Sequence, residues 1–115
     1  MAFVATMDPG RARPFYEKVL GLPVKRTDPY AIVFDAHGIE LRMSTVKDLK
    51  PVPYSVLSWI VPDIHAMIGT LVAKGVVFER YDFMQQDEAG VWATDGAKVA
   101  WFKDPDGNLL SLTEY

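Results

Sequence analysis

The chain repeats itself, and this repetition limits its possible folds more than any other feature of the sequence. Residues 21–28 (Gly-Leu-Pro-Val-Lys-Arg-Thr-Asp) align with residues 75–82 (Gly-Val-Val-Phe-Glu-Arg-Tyr-Asp). Each block follows an aspartate, Asp8 or Asp63, by the same interval to within one residue, and both aspartates are suited to cap a helix. Since 115 residues is the size of one domain, the repeat predicts two related modules within a single domain.

The first half predicts the order strand, helix, strand, strand, strand. Apolar residues at helical spacing predict a helix over 9–20 that ends before a glycine. Pro14 lies inside it and removes a hydrogen bond, so we expect an irregular first turn and a regular helix from about Arg13. Short apolar runs bounded by turn residues predict the strands of module one, at 2–7, 22–26, 30–36 and 39–44.

The second half repeats this order after a linker over 45–53. The expected elements are a helix at 63–74 and strands at 55–61, 76–81, 97–103 and 109–113. The long loop 83–96 is either a functional lid or simply a solvated segment. Two such modules cannot each bury a sheet face alone, so we expect them to pair. The predicted fold class is α+β, one domain over 1–115, with module one at 1–44 and module two at 54–115.

Composition narrows the possible partners. The net charge is −3 and no basic stripe is present, which argues against nucleic acid as a partner. No apolar run approaches the roughly 18 residues of a membrane span, and the first residues lack the features of a secretion signal. The sequence has no cysteine, which excludes disulfides, thiolate metal sites and a cysteine nucleophile. We therefore expect a cytoplasmic protein without membrane or nucleic-acid partners.

Four stretches carry a resemblance to a known family. Residues 8–22 resemble the first-helix signature of the glyoxalase/bleomycin resistance protein/extradiol dioxygenase superfamily, also called the vicinal oxygen chelate superfamily. Residues 61–64 and 74–76 resemble its second helix and boundaries, and residues 96–108 resemble its closing hairpin. The resemblance implies two βαβββ modules that form an incomplete barrel, with helices outside and a ligand cleft inside. Metal-using members hold a divalent ion through His and Glu side chains on the first and fourth strands.

The residues at the corresponding ligand positions do not match those of metal-using members. These positions fall on Met1, Glu40, Val56 and Ser111. One carboxylate cannot supply the roughly three protein ligands that a catalytic divalent site needs, so we expect no metal and no cofactor. The two histidines, His37 and His65, are expected in a turn and at a helix start, as solvated side chains.

Strand alternation then sets the rest of the expected cleft lining. The candidates combine apolar, hydroxyl and charged side chains: Phe3, Met7, Glu40, Arg42, Val56, Ser58, Trp92, Trp101, Ser111 and Thr113. Glu40 and Arg42 are expected to form a carboxylate–guanidinium pair, which is either structural or ligand-binding. Trp92 either covers the mouth of the cleft or packs elsewhere, and one of Trp101 and Phe102 points into it.

Three functions remain open at this point. The first, which we favour, is metal-free binding of a small, partly hydrophobic molecule in the cleft. The second is a metal-dependent lyase, isomerase or dioxygenase of the same superfamily. The third is a subunit or sensor module whose cleft serves a partner. We expect a homodimer, because relatives of this length usually pair and because short sheet edges need covering; the cleft then closes within one chain or across two.

Overall fold

Apolar residues on alternate positions give the first half of the chain four strands in one mixed sheet. The computed structural model describes residues 1–115, and the strands of the first sheet are β1 (Ala2–Thr6), β2 (Val24–Thr27), β3 (Ala31–Ala36) and β4 (Ile39–Thr45). Their order is β1-β4-β3-β2, with β1 parallel to β4 and the other pairs antiparallel. One face of this sheet is buried and carries Val4, Phe34, Leu41 and Met43.

The first helix has two parts. The α-helix α1 (Pro9–Pro14) starts at Asp8, whose carboxylate accepts a hydrogen bond from the backbone of Arg11. A π-helical segment, Phe15–Val19, follows directly. The expected irregular first turn is therefore wrong: the irregularity follows Pro14, because the proline nitrogen cannot donate and the bonding pattern changes after it. Tyr16, in the widened segment, is fully buried against the ring of Phe34.

A turn distant in sequence completes the first unit of the structure. This unit comprises Met1–Pro51 together with Asp104–Asn108. The hydroxyl of Tyr16 donates a 2.5 Å hydrogen bond to Asp104, and the hydroxyl of Thr6 donates a 2.6 Å bond to Asp106. Burial, followed by the charge of Asp104, raises the pKa of Tyr16 far above its ordinary value, so the phenol remains a hydrogen-bond donor. The turn is thus fixed by buried polar contacts.

The second unit, Val52–Lys103 with Leu109–Tyr115, has the same order of elements. Its strands are β5 (Leu57–Ile60), β6 (Trp92–Thr94), β7 (Ala97–Lys103) and β8 (Leu109–Glu114), in the order β5-β8-β7-β6. The helix α2 (Ile64–Ala73) starts at Asp63, whose carboxylate accepts from the backbone of Ala66. The predicted α+β class with two βαβββ modules is confirmed, and the strands form two four-stranded sheets instead of one closed barrel.

One predicted strand is wrong. Residues 76–81 form no strand, and their sheet contact is a single bridge between Phe78 and Phe102. Strand β6 takes that place in the sheet, although it lies in the segment 83–96 that we expected to be a loop.

The reason for this replacement is local. Asp95 and Gly96 join Thr94 to its partner Ala97 in a two-residue hairpin, and Gly96 has a φ of 80°. An Asp-Gly pair favours this tight turn because glycine tolerates positive φ. The hairpin closes the smallest loop, so β6 occupies the part of the β7 edge at Ala97–Val99. Phe78 and Glu79 meet the same edge further along, at Phe102 and Trp101.

The described helices do not suit a membrane crossing. None of them is both long enough and apolar enough to span a bilayer. The assignment of residues 1–115 to one domain remains a prediction alongside the two units of the structure.

Candidate functional site

The open face of the first sheet, opposite the face that packs on Tyr16, carries the two predicted charges. Glu40 and Arg42 share this face, but they do not pair with each other. Glu40 accepts hydrogen bonds from Arg26 at 2.7 and 3.0 Å and from Lys25 at 3.2 Å. Arg42 donates instead to Asp28, at 3.1 Å. The expected pair is wrong because two such residues lie about 6–7 Å apart along one strand, whereas the side chains of β2 and its turn reach closer.

The partners of Glu40 determine its charge. Hydrogen bonds from Arg26, then from Lys25, lower the pKa of Glu40 to about 2 despite some desolvation. The carboxylate is therefore ionised and paired with two cations at neutral pH. This arrangement favours the structural interpretation of Glu40 over a role as a base.

The same open face also carries exposed apolar side chains. Phe3 lies opposite Arg42 across the β1–β4 pair and is 62% exposed, while Met1 and Met7 are also largely exposed. Large apolar side chains gathered on a surface are more informative than scattered ones. The first unit thus places the predicted Phe3 on one face with paired ions, and Met7 is exposed just beyond the end of β1.

The open face of the second sheet carries the predicted hydroxyls. Ser58 lies opposite Ser111 in the pairing of β5 with β8, and its hydroxyl is 2.9 Å from that of Thr113. Ser111 is buried and lies 2.9 Å from the hydroxyl of Ser55. Val56 is exposed at the start of this face. The structure therefore brings the predicted hydroxyls together as hydrogen-bonded pairs beside apolar side chains.

The two aromatic residues of β7 separate onto opposite faces. Trp101 lies opposite Ser111, so it shares the open face with the hydroxyls, whereas Phe102 lies opposite Leu110 and is fully buried. Trp92, the first residue of β6, lies opposite Val99 and so shares the open face with Trp101. This register resolves the alternative that the sequence left open, because a one-residue shift would exchange the two faces.

An aromatic row extends from these two tryptophans. The ring centroids of Trp92 and Trp101 are 6.3 Å apart, Tyr81 meets Trp101 edge-to-face at 5.7 Å, and Phe83 lies 5.4 Å from Tyr81. Phe83 is 81% exposed. Sequence reasoning missed Tyr81 and Phe83, because the first was assigned to a strand and the second to a loop. Their spacing of two residues next to a long loop was the available signal.

A cavity of about 440 Å³ lies in the second unit beside the start of α2. Its lining combines the loop, the first turn of α2 and the β6–β7 edge, namely His65, Gln85, Gln86, Asp87, Val91, Trp92, Ala93 and Lys98. Both histidines are exposed, as expected. The Nε2 of His65 also lies 2.7 Å from Asp87, because the folded loop brings this carboxylate to the start of α2.

The residues at the family's metal positions do not fit a divalent ion. Glu40 is held by two cations, and the hydroxyl of Ser111 is bonded to Ser55. Met1 offers a thioether and Val56 offers no donor. No three His, Asp or Glu side chains lie together in an arrangement that could hold a metal ion.

Comparison with known proteins agrees with this fold. The model of the glyoxalase/bleomycin resistance protein/dioxygenase superfamily matches residues 1–112. An integron cassette protein from the mobile metagenome of the Halifax Harbour sewage outfall superposes with a TM-score of 0.75 at 19% identity, covering 100% of this chain and 97% of that chain. Comparison with curated proteins gives no match.

Two named solved structures are similar to the same degree. A glyoxalase/bleomycin resistance protein/dioxygenase from Alicyclobacillus acidocaldarius has a TM-score of 0.72 at 18% identity, covering 98% of this chain and 87% of that chain. Lactoylglutathione lyase from Agrobacterium tumefaciens has a TM-score of 0.72 at 18% identity, covering 99% and 92%. Identities this low support the shared fold and carry no information on the reaction.

Proposed function

Because the chain belongs to the glyoxalase/bleomycin resistance protein/dioxygenase superfamily, we propose that it binds a small, partly hydrophobic molecule without a metal ion. The observation that carries this proposal is the aromatic row of Trp92, Trp101, Tyr81 and Phe83 on the second unit. A ligand that covers this row would bury large apolar rings that are otherwise partly in water.

The surroundings of the row support the same function. Ile60 is 72% exposed on the open face that also carries Trp101, and the Ser58–Thr113 hydroxyl pair lies on this face. A mostly apolar surface with a few placed polar groups is typical of small-molecule sites. The hydroxyls can exchange their mutual hydrogen bond for one to a ligand, which would orient it.

The first unit takes a secondary part in this proposal. Phe3 and Met7 offer exposed apolar surface, whereas Glu40 and Arg42 have partners already and add charge but few free hydrogen-bonding groups. The same exposed side chains would also suit association of two chains, so a homodimer remains part of the proposal, as does the cytoplasmic location expected from composition. The alternative, a metal-dependent lyase, isomerase or dioxygenase, lacks a fitting set of ligands.

Substitution of one ring tests the proposal. With 2-naphthol as a neutral aromatic probe, we expect saturable NMR shifts at the backbone amides of Ser58 and Thr113. Trp101→Ala should weaken this binding about tenfold, because the ring loses both stacking and buried area. The matched control is Tyr30→Ala, which removes an aromatic ring that is 74% exposed in the other unit.

Two outcomes would reject this function. One is the absence of saturable shifts at the second sheet at millimolar probe. The other is equal weakening in Trp101→Ala and Tyr30→Ala. A thermal melt of each variant separates lost binding from lost folding, since both chains must be folded at the temperature of the titration.

A further inference from the structure

We propose that the cavity beside α2 is a second binding site, suited to a small carboxylate with an apolar body. Its walls come from one unit only: the first turn of α2, the loop before β6, and the β6–β7 edge. Its volume of about 440 Å³ falls within the range of about 300–1,000 Å³ that ligand pockets usually have. This site goes beyond the proposed function, because its charged groups lie away from the aromatic row.

The loop that forms one wall is rigidly held. The side chain of Gln86 accepts a hydrogen bond from the backbone of Tyr81 and donates to the carbonyls of Glu79 and Gly90, at 2.8, 3.0 and 2.8 Å. Arg80 donates to two further carbonyls of the loop. A wall with its backbone fixed in this way needs little reordering when a ligand enters, which favours binding.

The carboxylate in the cavity is already satisfied. One oxygen of Asp87 accepts from the backbone of Ala89 and of Val91, each at 2.9 Å, and the other oxygen lies 2.7 Å from His65. Burial raises the pKa of Asp87. The hydrogen bonds from His65 and from these backbone groups together lower it by more, so the pKa lies below its ordinary value. An ionised carboxylate only accepts, so Nε2 of His65 carries the shared hydrogen, and this contact holds the ring against the loop.

The groups left for a ligand favour an anion. Lys98 is nearly half exposed, and its partner Glu114 lies 3.6 Å away with its other oxygen bonded to the backbone of Ile64. Gln85 is exposed and its amide can donate. The ammonium of Lys98 and the amide of Gln85 both line the cavity and both donate, and a carboxylate can accept from each. A charge-assisted bond is stronger than a neutral one.

The remaining wall favours an apolar body on the ligand. Val91 is buried, and Trp92 and Ala93 follow it along the edge strand. Ala93 lies opposite Lys98, while Trp92 lies opposite Val99, so the charge of this cavity and the aromatic row belong to opposite faces of the sheet. Trp92 borders both sites and is therefore avoided in the test.

Benzoate and its neutral counterpart benzamide are the probes for this site. We expect benzoate to shift the amides of Gln85, Asp87 and Ala93 in a saturable NMR titration, and benzamide to bind about tenfold more weakly. Lys98→Met should weaken benzoate about tenfold and leave benzamide unchanged. The control Lys74→Met removes a lysine at the other end of α2, outside the cavity, and should leave both probes unchanged.

Several results would overturn the proposal. One is the absence of a saturable shift with benzoate at millimolar concentration. Another is equal binding of benzoate and benzamide. A third is an effect of Lys98→Met on benzoate binding that is no larger than the effect of Lys74→Met. Shifts confined to Ser58 and Thr113 would place benzoate on the aromatic row, which overturns the second site but not the proposed function. If the second site is separate from the aromatic row, Trp101→Ala weakens 2-naphthol binding about tenfold and leaves the benzoate shifts intact.

Discussion

Module one and module two have the same order of elements, but the two aligned sequence blocks, 21–28 and 75–82, form different structures. In module one, residues 21–28 supply β2, which pairs with β3 along its length. In module two, the aligned residues 75–82 pair at one position only. The side chain of Gln86 bonds the backbone of Tyr81 and Glu79, and Arg80 donates to carbonyls of the loop that follows. A similar sequence therefore forms a strand in one module and an irregular segment held by side chains in the other, where β6 pairs with β7.

The open faces of the two sheets differ as well. The first sheet carries ion pairs, with Glu40 held by two cations and Arg42 held by Asp28. The second sheet carries hydroxyl pairs and the aromatic row. Ion pairs exposed to water contribute little to affinity or stability. Exposed aromatic rings contribute more to the free energy of binding when a ligand covers them. This difference directs the search for a ligand to the second unit.

The largest effect is expected at the turn that completes the first unit. Asp104→Ala removes the acceptor of Tyr16 and of the backbone amides of Asp106 and Asn108. Because the buried donors lose their partner, we expect the free energy of unfolding to fall by about 3 kcal/mol. Urea unfolding measures this loss.

The matched control for that change lies in the other unit. Asp82 is exposed in a turn, and Asp82→Ala should alter stability by no more than about 0.5 kcal/mol. Hydrogen exchange should locate the effect of Asp104→Ala in β1 and the first helix. A loss below about 1 kcal/mol would mean that the buried contacts of Asp104 do not hold the first unit together.

The next effect tests whether Gln86 holds residues 79–81 in place of strand pairing. Gln86→Ala leaves the backbone groups of Glu79, Tyr81 and Gly90 without their partner, so we expect a loss of about 2 kcal/mol and faster exchange of the Tyr81 amide. Gln85→Ala is the neighbouring control, since this residue is exposed, and it should change stability by less than about 0.5 kcal/mol. Equal behaviour of the two variants would refute the comparison.

A smaller effect is expected at the hairpin that displaces the aligned block. Gly96 has a φ of 80°, and Gly96→Val should lower the free energy of unfolding by about 1–2 kcal/mol because a β-branched side chain opposes that conformation. The opposite sign is expected for Gly69→Ala within α2, where an added Cβ meets nothing within 4 Å; this change should raise stability by about 0.5–1 kcal/mol. If Gly96→Val is neutral in urea unfolding, the turn does not determine β6.

The smallest effect concerns the ion pairs of module one. The folded pKa of Glu40 lies near 2, below its ordinary value of 4.5. Its contribution is therefore fully present above pH 4.5 and disappears as the pH falls through about 2. Glu40→Gln should flatten this part of the pH dependence of urea unfolding, while Glu88→Gln, at an exposed loop residue, should not. A wild-type curve that is already flat across this interval would contradict the ion-pair assignment.

Much of the fold follows from local features of the sequence. Asp8 and Asp63 cap their helices as expected, and the repeated order of elements appears in both units. These predictions succeed because a cap or a helical stripe depends on residues a few positions apart. The mostly exposed face of β1 also follows from alternation, since side chains two residues apart share a face.

The candidate site was harder to predict from the sequence than the fold. The partners of Glu40 come from another strand, and the contact of His65 with Asp87 requires the loop to fold back on α2. The sequence near these residues does not indicate either contact, because a long charged side chain can pair with several partners at similar energy. The ring contacts of Tyr81 with Trp101 and with Phe83 likewise join residues of different segments or a loop residue, for which strand alternation gives no signal.

The sequence by itself therefore determined the repeated βαβββ order, the helix starts and the family, since each depends on short-range spacing or on a contiguous motif. Only the tertiary structure decided which segment became the second strand of module two and which residue of the Trp101–Phe102 pair reached the open face. The physical reason is that strand pairing is non-local. Competing segments offer similar backbone hydrogen bonds, so loop closure and register decide which of them pairs. A register shift of one residue moves every side chain of the strand to the other face.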